Sequence, residues 1–177
     1  GVKIVECRQS SGSRLPYLRL FIKYLKMRPE YDVMIVGFPG QESMFLARLL
    51  TRKPIIFDAF TSHYGGYILD RKYFSVKSWR AKYYRFLDKG SCKLADVVLL
   101  DTQAHINFFV KEFGLLPGKF ERVFVGADPR VFYPRLKDNG EFIVHFHGNY
   151  IPLQGVKYII KAAKLLEKES IRFRLIG

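Results

Sequence analysis

Cysteine is scarce in this chain, which carries only Cys7 and Cys92 among its 177 residues. The two stand far apart and outside any CxxC or Cys/His cluster, which excludes a disulfide scaffold and a zinc finger, so we expect a reducing compartment. Long apolar runs are also missing. None approaches the roughly 20 residues of a membrane-spanning helix, and no leading stretch resembles a signal peptide.

Acidic residues are few as well. The sequence has 16 Asp and Glu against 30 Lys and Arg, which gives a formal net charge of +14. Such a chain is expected to meet anionic partners. The basic residues are spread along the chain and no recognised DNA or RNA motif is present, so a basic nucleic-acid-binding α/β module is kept only as an alternative.

What the sequence does contain is a repeating alternation of apolar and amphipathic segments. Apolar residues make up 49% of the chain, enough for a buried core. We predict strands at 2–7, 33–38, 54–59, 96–101, 122–126, 142–147 and 171–176, and helices near 15–27, 41–52, 76–94, 103–113 and 155–169. Most of these strands are continuously apolar, as in a parallel sheet buried on both faces, so we predict an α/β fold with a Rossmann-like, doubly wound parallel sheet.

Local signals support one helix in particular. Thr102 is placed to cap the segment 103–113, and Gly114 stands just past its end, where a left-handed residue is favoured.

A domain boundary is predicted in the segment 129–140, which has two prolines, a polar turn and no periodicity. We therefore expect one Rossmann-like domain over 1–134 and the opening βαβ unit of a second over 135–177. The chain starts at Gly1 directly before a strand-like run and stops at an apolar run followed by Gly177. We expect it to be an excerpt of a longer polypeptide, without the first strand of its first domain.

The loop after the predicted strand 142–147 contains Gly148 and closes on Gly155 at the start of a helix. Such a turn can direct backbone N–H groups and the positive end of a helix dipole at one spot, which favours phosphate. An ordinary β–α turn is the alternative, because the glycine spacing fits neither a dinucleotide fingerprint nor a P-loop.

Several short motifs, taken in their order, resemble the GT-B glycosyltransferases of the glycogen-synthase-like group, family 4. They are Tyr31–Val33 with Gly37–Gly40, Phe57–Phe60 with Asp70–Lys72, Leu99–Thr102, Phe113–Gly114, Val125–Asp128 with Phe132–Pro134, and Gly148–Val156. The resemblance covers nearly the whole chain. It implies a retaining two-domain enzyme, with a nucleotide-sugar donor on the C-terminal half and the acceptor on the N-terminal half.

The resemblance also implies site residues. Gly148, Asn149, Gln154 and Gly155 take the donor-loop positions, where the family usually has an arginine and a lysine that grip the diphosphate. Asn149 and Gln154 are neutral, so that charge clamp is absent and contact would rest on backbone N–H groups and amides.

Two catalytic candidates lie at the end of the predicted strand 54–59 and in the loop after it. The family often has a histidine near the reacting sugar; the aligned position is Phe60, and His63 follows three residues later. We expect His63 to hydrogen-bond a sugar hydroxyl or a phosphate, with a plain loop histidine as the alternative. Asp58 could orient an acceptor hydroxyl or cap its own loop. His105 and His145 are expected to be structural. No Asp-x-Asp is present and the class uses no bound cation, so neither metal nor cofactor is expected.

The segment 14–28 is a predicted basic amphipathic helix. Arg19, Lys23 and Lys26 fall at i, i+4 and i+7, beside an apolar face. Such a helix can lie on anionic lipid; packing of its apolar face on the sheet is the alternative.

Together these features predict transfer of a hexose from a nucleotide sugar to a glycan or lipid-linked acceptor in surface polysaccharide assembly. We expect a cytoplasmic protein, peripheral on the inner face of the cell membrane. This chain alone is expected to be inactive. A non-catalytic transferase remnant remains an alternative.

Overall fold

The part of the chain that the structure describes forms two separate parallel β-sheets. The structure, a computed structural model, describes residues 1–8, 15–27, 30–134 and 142–177. The first sheet has four strands in sequential order, all parallel: β1 (Met34–Val36), β2 (Ile55–Phe60), β3 (Val97–Leu100) and β4 (Phe120–Arg122). The second has two parallel strands, β5 (Phe142–His147) and β6 (Ile171–Ile176). The predicted α/β class with a parallel sheet is confirmed, and the sheet is consistent with a Rossmann-like fold.

Helices precede or connect the strands. They are α1 (Pro16–Met27), α2 (Gln41–Leu50), α3 (Trp79–Leu94), α4 (Gln103–Phe113) and α5 (Val156–Leu165), with a π-helical turn at Gly65–Asp70 and short 3-10 turns at Pro117–Lys119 and Pro152–Gln154. Each helix from α2 to α4 joins two neighbouring strands of the first sheet, and α5 joins β5 to β6. The predicted element order is thus confirmed from the first helix onward.

One face of the first sheet carries the core. Ile55, Phe57 and Ala59 alternate along β2 and pack in one cluster with residues from α2, α3 and α4. The residues between them belong to the opposite face, where the neighbouring Ile35 on β1 is 68% exposed. The expectation of a doubly wound sheet buried on both faces is therefore wrong for the described residues. Consecutive strands lie side by side, and all three connecting helices share one face.

Two predicted strands differ from the structure. Residues 2–7 form no strand, and Val2, Ile4 and Val5 are exposed. An apolar run becomes a strand only when a neighbouring strand accepts its hydrogen bonds, and in the described sheet β1 pairs only with β2. The strand predicted at 122–126 corresponds to β4, which begins and ends earlier, at Phe120–Arg122.

The capping prediction for α4 is confirmed. The Thr102 hydroxyl accepts a hydrogen bond from the His105 N–H at 3.2 Å, and Gly114 follows the helix with φ 62° and ψ 50°. His105 lies on this helix, as expected, and its Nδ1 is 2.6 Å from an Asp101 carboxylate oxygen.

The second sheet belongs to a βαβ unit formed by β5, α5 and β6. Within residues 142–177 no side chain is fully buried, and Phe142, Tyr158 and Leu165 are strongly exposed. A single βαβ unit has too little surface to enclose a core of its own. Half of the predicted boundary segment, residues 135–140, lies outside the described residues, so the division at 134 and 135 stays a prediction.

The two cysteines are expected to differ sharply in reactivity. Cys92 is completely buried in the core, and burial raises the pKa of its thiol to about 12. Cys7 is only partly buried. Since the thiolate is the reactive form, we expect iodoacetamide at pH 8 to modify Cys7 in the folded protein and Cys92 only after unfolding in urea. Mass spectrometry of the digested protein distinguishes the two; rapid native labelling of Cys92 would contradict the described core.

Candidate functional site

The carboxyl ends of the strands in the first sheet meet at one edge, where ligands of open α/β sheets bind. The loop 37–40 follows β1, the loop 61–64 follows β2, and Asp101 follows β3. The first loop is tight. A Cβ at Gly40 would lie 2.5 Å from the Gly37 carbonyl oxygen, so a side chain does not fit there. This edge contains the predicted residue His63 and several residues that sequence reasoning did not find.

Asp88 organises the loop after β2. It lies in α3 and is 1% exposed. Its carboxylate accepts hydrogen bonds from the Ser62 hydroxyl at 2.7 Å, the His63 N–H at 3.1 Å and the Tyr64 N–H at 2.8 Å. Burial raises the pKa of Asp88, and these hydrogen bonds oppose that rise. The carboxylate therefore fixes the backbone that carries His63.

The predicted role of Asp58 in capping its own loop is wrong, because Asp88 does this instead. Asp58 lies within β2, in register with Leu99, on the side of the sheet opposite the core. Among the described residues its side chain has no hydrogen-bonding or ionic partner. The carboxylate is half-buried and remains available to a ligand at that face. Its catalytic role stays a prediction.

His63 is surrounded by aromatic rings. Its ring centroid lies 6.4 Å from that of Phe38, 5.5 Å from that of Tyr67 and 6.2 Å from that of Tyr84. We call these three residues the aromatic cage. Phe60, where the family has its histidine, contacts the cage through Phe38 at 5.4 Å. Exposed faces of such rings offer apolar surface to the CH face of a sugar.

Two buried polar atoms near this edge have no partner among the described residues. They are Nδ1 of His63 and Oε1 of Gln41. Gln41 is the first residue of α2 and is 1% exposed, and its Nε2 donates to the Thr61 carbonyl oxygen at 3.2 Å. Buried polar atoms are normally hydrogen-bonded, to protein, ordered water or ligand. Each of these two atoms therefore needs a hydrogen-bond partner, which an ordered water or a ligand hydroxyl would supply.

The predicted donor-loop residues lie together at the end of β5. A Cβ placed on Gly148 would lie 3.9 Å from the carboxamide of Gln154, so the loop folds back on itself. Gly155 has φ 64° and immediately precedes α5. Asn149 and Gln154 are both exposed. The structure therefore brings the four positions into one turn.

This turn has fewer free backbone N–H groups than the sequence predicted. The Gly148 N–H donates to the Ile176 carbonyl oxygen at 3.0 Å. Those of Gln154 and Gly155 donate to Ile151 and Pro152, each at 3.0 Å. These three groups already have partners within the unit. A phosphate would have to rely on the side chains of Asn149 and Gln154 and on the first N–H groups of α5.

The predicted membrane-contact residues share one surface. Arg19, Lys23 and Lys26 line a shallow depression on α1, and the Lys23 ammonium donates to the Arg8 carbonyl oxygen at 3.0 Å. Leu18, Ile22 and Leu25 are exposed on the same helix. The alternative that this apolar face packs on the sheet is thus wrong for these three residues. Other α1 residues, Leu20 and Tyr24 among them, line a groove of about 590 Å³ beside β1.

The described parts of the chain contain no group of three His, Cys, Asp or Glu side chains arranged to hold a metal ion. No helix in those same parts has the length and hydrophobicity needed to cross a bilayer. Comparison with protein-family models and with curated proteins finds no match to the chain.

Proposed function

We propose that these residues belong to a GT-B glycosyltransferase, in which the edge around His63 holds the acceptor and the turn after β5 holds the nucleotide-sugar donor. The observation that carries the proposal is the aromatic cage around a histidine with a free buried nitrogen, at the carboxyl edge of a parallel sheet. The order of the motifs described above supports the proposed family.

In this proposal each residue has a limited task. The Asp88 carboxylate fixes the loop, Nδ1 of His63 hydrogen-bonds an acceptor hydroxyl, and the cage packs on the sugar ring. Asp58 orients a second hydroxyl. Transfer breaks the bond between the hexose C1 and the diphosphate oxygen and forms a bond from C1 to the acceptor oxygen, whose proton is released. The acceptor is a glycan or a lipid-linked glycan, and the enzyme works at the cytoplasmic face of a membrane.

Donor binding is tested by saturation-transfer NMR with UDP- and GDP-hexoses. We expect saturation of nucleotide and sugar protons with dissociation constants near millimolar, about 4 kcal/mol, because neutral amides replace the family's cations. Asn149→Ala with Gln154→Ala should weaken binding at least fivefold. Asn107→Ala, an exposed amide on α4, is the matched control.

The alternatives give different results. A folded protein, checked by circular dichroism, that saturates none of these nucleotide sugars would overturn the donor assignment and favour the non-catalytic remnant. Salt-dependent binding of an oligonucleotide, stronger than that of any nucleotide sugar, would favour the nucleic-acid module instead. Sugar transfer by residues 1–177 alone would show that the expected inactivity of this chain is wrong.

A further inference from the structure

The solvent side of α3 carries a row of large aromatic side chains. Trp79, Tyr83 and Phe86 stand at i, i+4 and i+7 and therefore share one face of the helix. They are 70%, 42% and 60% exposed, respectively. We call these three residues the aromatic ridge. Contiguous exposed apolar surface of this kind marks an interaction site.

The ridge continues onto α2. The ring of Phe86 stacks on that of Phe45 with centroids 5.5 Å apart and planes 24° apart. Gly90 allows this approach, because a Cβ there would lie 2.7 Å from Cζ of Phe45. One turn further along α2, Leu49 is almost fully exposed. The apolar surface therefore spans two helices instead of ending at one.

The ridge also reaches α1. Partial burial raises the pKa of Tyr17, and the nearby Glu42 carboxylate and Tyr83 hydroxyl raise it further. These three groups lie on α1, α2 and α3, and α2 packs against both α1 and α3. The starts of α2 and α3 lie at the carboxyl edge of the sheet, since each helix runs back toward the beginning of the next strand. The ridge thus borders the edge that contains His63.

Most of the charges around the ridge are cationic, although the Glu42 carboxylate lies near Tyr83. The Arg80 guanidinium lies 5.2 Å from the ring of Trp79 and 4.5 Å from that of Phe74. Lys82, Lys89 and Lys93 follow on the same helix, in a chain whose net charge is +14. Tryptophan and tyrosine favour the boundary between water and lipid, and lysine and arginine favour anionic headgroups.

We propose that the aromatic ridge inserts into the headgroup region of an anionic bilayer and turns the His63 edge toward the lipid surface. Charge complementarity selects a lipid of negative charge over a neutral one. Insertion of the ridge into lipid does not depend on sugar transfer. The nucleotide-sugar experiment can therefore give a negative result while the membrane contact is confirmed. If both hold, a lipid-linked acceptor can reach the His63 edge from the membrane.

The protein supplies its own probe, because Trp79 is its one tryptophan. With vesicles of phosphatidylcholine and phosphatidylglycerol we expect a blue shift of Trp79 emission, and quenching when the phosphatidylcholine is brominated. Vesicles of phosphatidylcholine alone should cause neither. Protein that sediments with anionic vesicles while Trp79 emission stays unchanged would overturn the proposal, since binding would then use another face.

A double variant retains Trp79 as the fluorescent probe and removes the other two aromatic side chains of the ridge. Tyr83→Ser with Phe86→Ser should weaken binding to the anionic vesicles about tenfold. Tyr158→Ser with Phe142→Ser removes exposed aromatics from the other unit and should leave binding unchanged. An equal loss in both variants would contradict the ridge. A blue shift with oligonucleotide as large as that with vesicles would also overturn the lipid assignment.

Discussion

Replacement of Asp88 by alanine is expected to lower the free energy of unfolding by about 3 kcal/mol or more. The carboxylate accepts three hydrogen bonds from the segment 62–64, and each buried donor left without a partner costs about 1–3 kcal/mol. Asparagine should restore part of the loss, since one amide oxygen can still accept. Urea denaturation monitored by circular dichroism measures the change.

The control for Asp88 is Asp128, whose ion pair with Arg130 lies at the surface. Asp128→Ala should leave the urea midpoint close to that of the unchanged protein, because an exposed ion pair contributes little to stability. Ser62→Ala removes a single donor and should give an intermediate result. A neutral outcome for Asp88→Ala would show that the loop holding His63 does not depend on this carboxylate.

Charge reversal of Arg19, Lys23 and Lys26 to glutamate is expected to release the protein from anionic vesicles. Each cation near such a surface contributes about 1 kcal/mol, so the loss of three alone corresponds to roughly 150-fold weaker binding. Reversal adds repulsion to that loss. Vesicle sedimentation at low and at physiological salt measures the effect, which should be larger at low salt.

The matched control reverses three lysines on α5, namely Lys157, Lys161 and Lys164. They face solvent in the second unit, and their reversal changes the net charge by the same amount. If this variant loses as much binding as the α1 variant, net charge alone governs the contact. Unchanged binding of the α1 variant would remove α1 from the membrane face.

Much of the fold is readable in the sequence, because local signals and tertiary packing agree. Thr102 and Gly114 bracket α4 as their capping chemistry requires. The apolar runs of β2 and β3 identify them as strands, but they do not show whether helices cover one face of the sheet or both. The number of covered faces depends on the order of the strands in the sheet, which an apolar run does not determine. Residues 2–7 were predicted as a strand for the same local reason. Their apolar pattern does not show whether another strand is present to pair with them.

The candidate site was predictable only in part. His63 follows a buried strand, which is a local signal, whereas Asp88 comes 25 residues later and reaches the same loop through the packing of α3. An acidic residue at a buried helix position, in phase with Ala81 and Ser91, was the signal that could have revealed it. Gln41 gave no such signal, because an amide at a helix start usually faces water. The backbone donors after β5 were overestimated, since their internal partners depend on the 3-10 turn.

The absence of any fully buried side chain in residues 142–177 has a consequence for how the protein opens. The amides of β2 and β3 lie over a dense cluster of buried side chains, so their exchange with deuterium requires a large part of the first sheet to unfold. Within the described residues, the amides of β5 and β6 are protected by each other and by one amphipathic helix. Local opening should therefore begin in the second unit, which would be the first part of the chain to meet a protease.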